Sequence, residues 1–217
     1  MLDLWIVRHG ETDWNLQGRI QGWTDVPLNA KGITQAHRLA KHLEGIPFRA
    51  VYSSDLKRAV NTANILATHI LAPQFVHTAL RERGFGMGEG LYREEMNRRF
   101  PNGVPDAESD TDVLARIDEF LQDVTRSHET GRVLCVTHGA TIRLMLRQFQ
   151  HVEIPPLYNT GVSRIRWDGA RWNLIGANWA QHLQDSADKV ESDPHALGFR
   201  ATVTTSSLKE KKPSRNR

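Results

Sequence analysis

The sequence predicts an α/β fold, a three-layer α/β/α sandwich whose central sheet is mostly parallel and finishes with an antiparallel edge strand. Three observations carry that prediction. Short apolar runs alternate with segments of helical period along most of the chain, a pattern that favours parallel strands with crossover helices on both faces. Two of those runs, at residues 4–7 and 133–136, lead into His-Gly within two residues of their ends. Near the end of the patterned region Asp168-Gly169 lies between two strand-like runs within residues 161–177, a strong hairpin signal and the source of the expected antiparallel edge.

Residues 4–7 are apolar and followed by charge and glycine, which reads as a buried strand ending at a site. The loop from His9 to Asn29 is long for a compact domain, and loops of that length are usually functional or disordered. Trp14, Ile20 and Trp23 argue that it is packed. Asn29 offers an N-cap, after which Ile33, Ala36, Leu39, Ala40 and Leu43 recur at helical spacing until Gly45. Residues 50–53 are a second strand. Ser54 and Asp55 can cap a helix over about 56–71 whose buried face is Ala59, Val60, Ala63, Leu66, Ala67 and Ile70. A third strand is predicted at 74–77, a glycine-rich loop to 90, a short helix over 92–100 and an acidic connection over 101–110. Ser109 or Thr111 caps the clearest helix, carrying Val113, Leu114, Ile117, Phe120, Leu121 and Val124. The strand at 133–136 follows, then a helix bearing Ile142, Leu144, Met145, Leu146 and Phe149. Periodicity fades beyond Gln181.

The 217 residues suffice for one well-buried core, so one domain over 1–180 is expected, with a C-terminal extension over 181–217 that is flexible and basic at its end. Hydrophobic content of 39% with 24% charged residues is ordinary for a globular chain, and no apolar run approaches a bilayer span. The N-terminus lacks a basic flank before its apolar run, so a secretion signal is not expected and the cytoplasm is the default. The single cysteine, Cys135, cannot form an intramolecular disulfide. The formal charge is +3, but residues 209–217 hold five Lys or Arg against one Glu, a net of +4, leaving the body at −1. A basic groove for nucleic acid is therefore not expected, nor is a membrane contact; a homodimer is not excluded.

The chemistry concentrates at the strand ends. Arg58 falls in the first turn of its helix, where the macrodipole disfavours a cation. The bland reason is a salt bridge to Asp55 or another carboxylate; the sharper one is that Arg58 and the helix N-terminus grip an anion. Arg8, beside His9 at another strand end, tips the reading to the anion. Arg8, Arg58, His9 and His138, with Asn15 as a further donor, describe a phosphate site. His9 can attack phosphorus through an unprotonated ring nitrogen, the arginines neutralise the equatorial oxygens, and His138 adds a donor as charge develops. Glu82, in the loop after the third strand, is the candidate to protonate the leaving oxygen. His9, His138 and Glu82 also satisfy a two-histidine, one-carboxylate metal formula, but two arginines in the same pocket repel a divalent cation by several kcal/mol.

RHGETDW with Asn15, SSDLKRAVNTA, LRERGFG and VTHG, in this order, resemble the motifs of the histidine phosphatase superfamily, in the branch that also contains cofactor-dependent phosphoglycerate mutases. The resemblance covers about residues 1–167 and implies a phosphoglycerate mutase-like fold. It implies that His9 becomes the phosphohistidine, that Arg8, Arg58 and His138 form the phosphate pocket, and that Glu82 donates and accepts the proton. Asn15, Gln21, Gly22 and the amide of Gly139 match positions that contact phosphate or substrate, although Gln21 departs from the small hydroxyl residue of the mutases. Those mutases resemble one another in a longer segment after the glutamate. Here Arg98-Arg99-Phe100 follows Glu82 too closely, the stretch to Ser109 is acidic, and Phe85 stands where the mutases carry tyrosine. The expected activity is therefore phosphomonoester hydrolysis of a small phosphorylated metabolite, independent of metal or other cofactor. The alternative is a mutase, which would require 2,3-bisphosphoglycerate.

Overall fold

The computed structural model describes residues 1–149, 154 and 156–183; the extension predicted over 181–217 lies outside them from residue 184 on. Six strands form one sheet in the order β3-β2-β4-β1-β5-β6. They are β1 (Leu2–Arg8), β2 (Ala50–Ser53), β3 (Gln74–Val76), β4 (Gly131–Thr137), β5 (Val162–Trp167) and β6 (Trp172–Trp179). The first four are mutually parallel, β5 is antiparallel to β1, and β6 is antiparallel to β5. The antiparallel edge is thus a hairpin. Asp168 closes it by accepting the amides of Ala170 and Arg171, and Gly169 takes φ +107°, which a side chain would resist.

Helices cover both faces because the central strands are apolar on both. Leu2, Leu4, Ile6, Val133 and Cys135 face a core shared with α5 (Asp110–Ser127) and α6 (Gly139–Arg147). Val7, Leu134 and Val136, one residue out of phase, face α2 (Ala30–His42) and α3 (Lys57–Ile70). Cys135 is fully buried, and burial pushes its thiol pKa up, so it packs as an inert small hydrophobe. Among the described residues no helix is long and apolar enough to cross a membrane.

Several local expectations change. The loop after His9 contains a one-turn helix, α1 (Asp13–Leu16), closed by a reciprocal cap between Thr12 and Asn15 that replaces the usual glutamate with asparagine. Asn29 caps α2 as expected, yet Ile33 is 44% exposed; Gly32 and Gln35 are buried instead, because α2 lies against the backbone of Glu11. A methyl on Gly32 would come within 2.1 Å of the Glu11 carbonyl. Val60 and Ile70 are only half-buried on α3. That helix starts without a side-chain cap of its own: Leu56 is the cap residue, Asp25 accepts the Lys57 amide from a distant loop at 2.7 Å, and Asp55 pairs with Arg81. Ser109, rather than Thr111, caps α5, and the short helix α4 (Arg93–Arg99) falls where predicted.

Candidate active site

Strands β1 and β4 are neighbours with Arg8 opposite Thr137, so both His-Gly pairs emerge side by side at the carboxyl ends of the sheet. This is where ligands bind in open α/β sheets. The His9 and His138 ring centroids are 5.1 Å apart, and both side chains are buried. The chain turns at Gly10 because nothing larger fits: a methyl there would sit 2.5 Å from the Gly32 carbonyl oxygen. The His9 Nδ1 lies 2.7 Å from the Gly10 carbonyl. A carbonyl only accepts, so Nδ1 carries the proton and Nε2 keeps the lone pair. Burial first, then the charges of Arg58 and Arg8, holds the His9 pKa well below its ordinary value, which keeps that lone pair bare at neutral pH.

Arg58 is fully buried in the first turn of α3. Its Nη1 and Nη2 donate to the carbonyls of Thr24 and Gly22 at 2.9 and 2.7 Å, and its Nε donates to His138 Nδ1 at 3.2 Å. The guanidinium therefore ties the loop after β1 to the end of β4. Burial lowers its pKa, while Glu82, Asp25 and Glu89 act in the opposite direction. Asp55, the nearest candidate for the bland salt-bridge reading, instead grips Arg81, Nε to Oδ1 at 2.7 Å. Arg8 reaches across to the Leu157 carbonyl. The amide of Gly10 donates to Thr62 Oγ1, which itself donates to the Arg58 carbonyl, so α3 braces the nucleophile loop as well.

Glu82 sits at the N-terminus of α6. One carboxylate oxygen, Oε1, accepts from the amides of Arg83, Ala140 and Thr141 at 3.0 to 3.1 Å and approaches Thr141 Oγ1 at 3.2 Å. Among the described residues the other, Oε2, has the longer 3.3 Å approach of the Ala140 amide. The fold thus holds one oxygen more firmly than the other, and Glu82 lines the same cavity as His9.

Arg8, His9, Asn15, Gln21, Gly22, Arg58, Glu82 and Gly139, eight of the nine residues picked from sequence, line one cavity of about 110 Å³. The ninth, His138, stands behind Arg58, with both ring nitrogens engaged, one by Arg58 and one by Ser54. Asn15 holds the loop through Oδ1, which accepts from Thr12 and Asn159. Gln21 is buried and its Oε1 lacks a hydrogen-bond partner among the described residues. Gly22 has φ +53°, and a methyl on it would collide with the Glu89 carboxylate at 2.1 Å. Arg19, Phe85, Arg93 and Arg143 also line the cavity.

Sequence reasoning missed the residues that hold these groups. Glu89 collects the amides of Trp23, Thr24 and Phe85, fixing the Gly22 turn. Arg116 pairs with Glu108 and donates to the carbonyls of Ala79, Arg81 and Glu82, gathering the loop that carries Glu82. Asn159 donates to the His9 carbonyl at 2.9 Å. Only Arg116 gave a signal, a cation on the buried-side turn of an otherwise regular helix. Among the described residues no group of three His, Cys, Asp or Glu side chains is placed to hold a metal ion.

The sequence pattern of the histidine phosphatase superfamily (branch 1) matches residues 4–180. A Bacillus subtilis protein named uncharacterized phosphatase PhoE is 33% identical over 183 residues, covering 82% of this chain and 95% of that one. An Arabidopsis thaliana metal-independent phosphoserine phosphatase is 35% identical, covering 82% of each. Among solved structures, Bacillus stearothermophilus YhfR superposes with a TM-score of 0.79 at 32% identity, over 84% of this chain and all of that one.

Proposed function

The chain belongs to branch 1 of the histidine phosphatase superfamily and is a phosphomonoester hydrolase of that superfamily; on this premise we propose the residues that carry the reaction and the class of substrate. The observation that carries the proposal is the His9 ring, whose Nδ1 donates to Gly10 O while Nε2 is left bare in a cavity walled by Arg8 and Arg58. His9 Nε2 attacks phosphorus in line, and the bond from phosphorus to the ester oxygen breaks as the phosphorus–nitrogen bond forms. Glu82 Oε2 gives its proton to the departing oxygen. The phosphoryl oxygens are neutralised by the Arg8 and Arg58 guanidiniums, with Asn15 and the Gly139 amide as neutral donors. In the second half, Glu82 takes a proton from water, the water oxygen attacks the phosphohistidine, and His9 leaves with its lone pair restored. No resident metal is needed, because two guanidiniums supply the charge a metal would and would repel one.

The substrate is a small phosphorylated acid. Arg19, Arg93 and Arg143 line the same cavity as His9 and Glu82, around the space open to a leaving group. A carboxylate on that group would meet opposite charge. The named substrate of the Arabidopsis relative, phosphoserine, has this form. The test is labelled phosphate transfer from phosphoserine, 3-phosphoglycerate with and without 2,3-bisphosphoglycerate, sugar phosphates and nucleoside monophosphates. An acid-labile phosphate on His9 and highest kcat/KM for the phosphorylated acids are expected. Full turnover by His9→Ala would sink the mechanism, preference for neutral leaving groups would sink the substrate class, and bisphosphoglycerate-dependent isomerisation would favour the mutase.

A further inference from the structure

We propose that Ser54 is a positioning residue for the phosphate clamp: it fixes His138 in the Nε2–H tautomer, so that the ring presents a lone pair, not an N–H, to Arg58. The proposal rests on the reading of Arg58 as a phosphate clamp. The Arg58 Nε–H points at His138 Nδ1 across 3.2 Å. A guanidinium nitrogen in a protein always donates and never accepts, so Nδ1 must hold the lone pair. Burial, reinforced by the charges of Arg58, His9, Arg116 and Arg8, holds the His138 pKa well below its ordinary value, so the ring is neutral and its one proton is on Nε2. The atom facing Nε2 is Ser54 Oγ, at 2.7 Å. Ser54 therefore accepts from the ring.

The serine is placed for this by the end of β2. Its amide donates to the Val136 carbonyl at 3.2 Å, pinning residue 54 beside the strand that leads into His138, and its side chain is fully buried. It is not the α3 cap residue, which is Leu56, although its Oγ also accepts the Leu56 amide at a longer 3.4 Å. Without the hydroxyl, Nε2–H would be a buried donor with no acceptor, and the Nε2–H tautomer would lose the bond by which Ser54 favours it over the Nδ1–H form. That tautomer sets N–H against N–H at Arg58 and pushes the guanidinium off its line. At metal sites, partners that orient a ligating histidine through its other ring nitrogen contribute about 10- to 100-fold, and an effect of that order is expected here.

The experiment is nitrogen-15 NMR of the full chain labelled at the histidine rings, with His138 assigned by the resonances lost in His138→Asn, alongside steady-state kinetics. In the wild type, His138 should show a protonated Nε2 and a bare Nδ1 at neutral pH. In Ser54→Ala the Nδ1–H form should appear and kcat should fall about 10- to 100-fold, while Ser54→Thr, which keeps an oxygen, should recover most of both. A wild-type ring protonated on Nδ1 overturns the proposal even if no variant folds, and so does a Ser54→Ala ring with an unchanged tautomer. The ring signals are read without substrate, so the expected tautomer in a protein lacking phosphohydrolase activity would sink the functional reading alone.

Discussion

The two His-Gly pairs share a strand context and end in different chemistry. Both follow apolar parallel strands that are direct neighbours, both rings are buried, and burial depresses both pKa values. After His9 the chain must turn, because Gly10 is jammed against the Gly32 carbonyl at 2.5 Å. After His138 it runs straight into α6, with His138 as the cap residue in extended conformation. The turn hands His9 a carbonyl from its own neighbour, occupying Nδ1 and sparing Nε2. The helix supplies no such group, and His138 has one nitrogen taken by Ser54 and the other by Arg58. What separates a candidate nucleophile from a candidate orienting group is which ring nitrogen the neighbours leave free.

The largest test of that contrast replaces each ring in turn. His9→Ala should abolish the acid-labile phosphoenzyme and reduce kcat by at least about 10³-fold. His138→Ala should reduce kcat by roughly 10²-fold and still form the adduct slowly, since it removes an orienting group and not the acceptor of phosphate. Equal loss of labelling in the two variants would erase the distinction. Next in size is Glu82→Gln. It should slow hydrolysis of an alkyl phosphate by about 10²-fold or more and of p-nitrophenyl phosphate far less, because the latter's leaving group needs little protonation. Matching losses on the two substrates would argue that Glu82 serves only to cap α6. Smaller again is the contrast between the glycines. Gly10→Ala should cost about 1–3 kcal/mol in chemical denaturation through its clash with backbone. Gly139→Ala, whose methyl would meet the Arg8 guanidinium at an ordinary 3.5 Å, should stay within about 0.5 kcal/mol.

The layers of the sandwich were legible because alternation and helical period are local signals, and the strand-end histidines and arginines because β strands deliver their next residue to a predictable edge. Arg58 was readable as misplaced against its helix dipole. Its partner was not: Asp55 is closer in sequence, but Arg81 takes it, and His138 at 80 residues' separation takes Arg58. The same holds for the support groups. Glu89 acts on residues 65 positions upstream, and Asn159 on His9 150 positions away. Such contacts follow from strand order, which skips from β1 over β4 to β2, and strand order is not written in any local pattern. Ile33 failed for a related reason. Helical period gave the right repeat and face, since Ala36, Leu39, Ala40 and Leu43 are buried, but in the first turn it is Gly32, close against Glu11, and not Ile33 that is covered.

The smallest effect concerns what stands behind His9 and not behind His138. Thr160, with φ +59°, donates its amide to the Arg8 carbonyl, and His182 Nε2 lies 2.8 Å from Thr160 Oγ1. The Thr160 hydroxyl donates to the Asn159 carbonyl, so His182 donates to Thr160 and is neutral. Burial first, then His42 and Arg38, moves its pKa down to about 4. The folded value lies below the ordinary 6.5, so between about pH 6.5 and 4 the unfolded chain binds more protons. Stability from this group is therefore fully present above that window and lost as pH falls through it. His9 and His138 slope the same way. His182→Gln, which can still donate to Thr160 but cannot titrate, should keep its urea midpoint at pH 7 close to that of the wild type and lose less of it on going to pH 4.5. A variant that loses as much as the wild type would mean that protonation of His182 is not what the C-terminal turn resists. The acid sensitivity would then belong to the two strand-end rings.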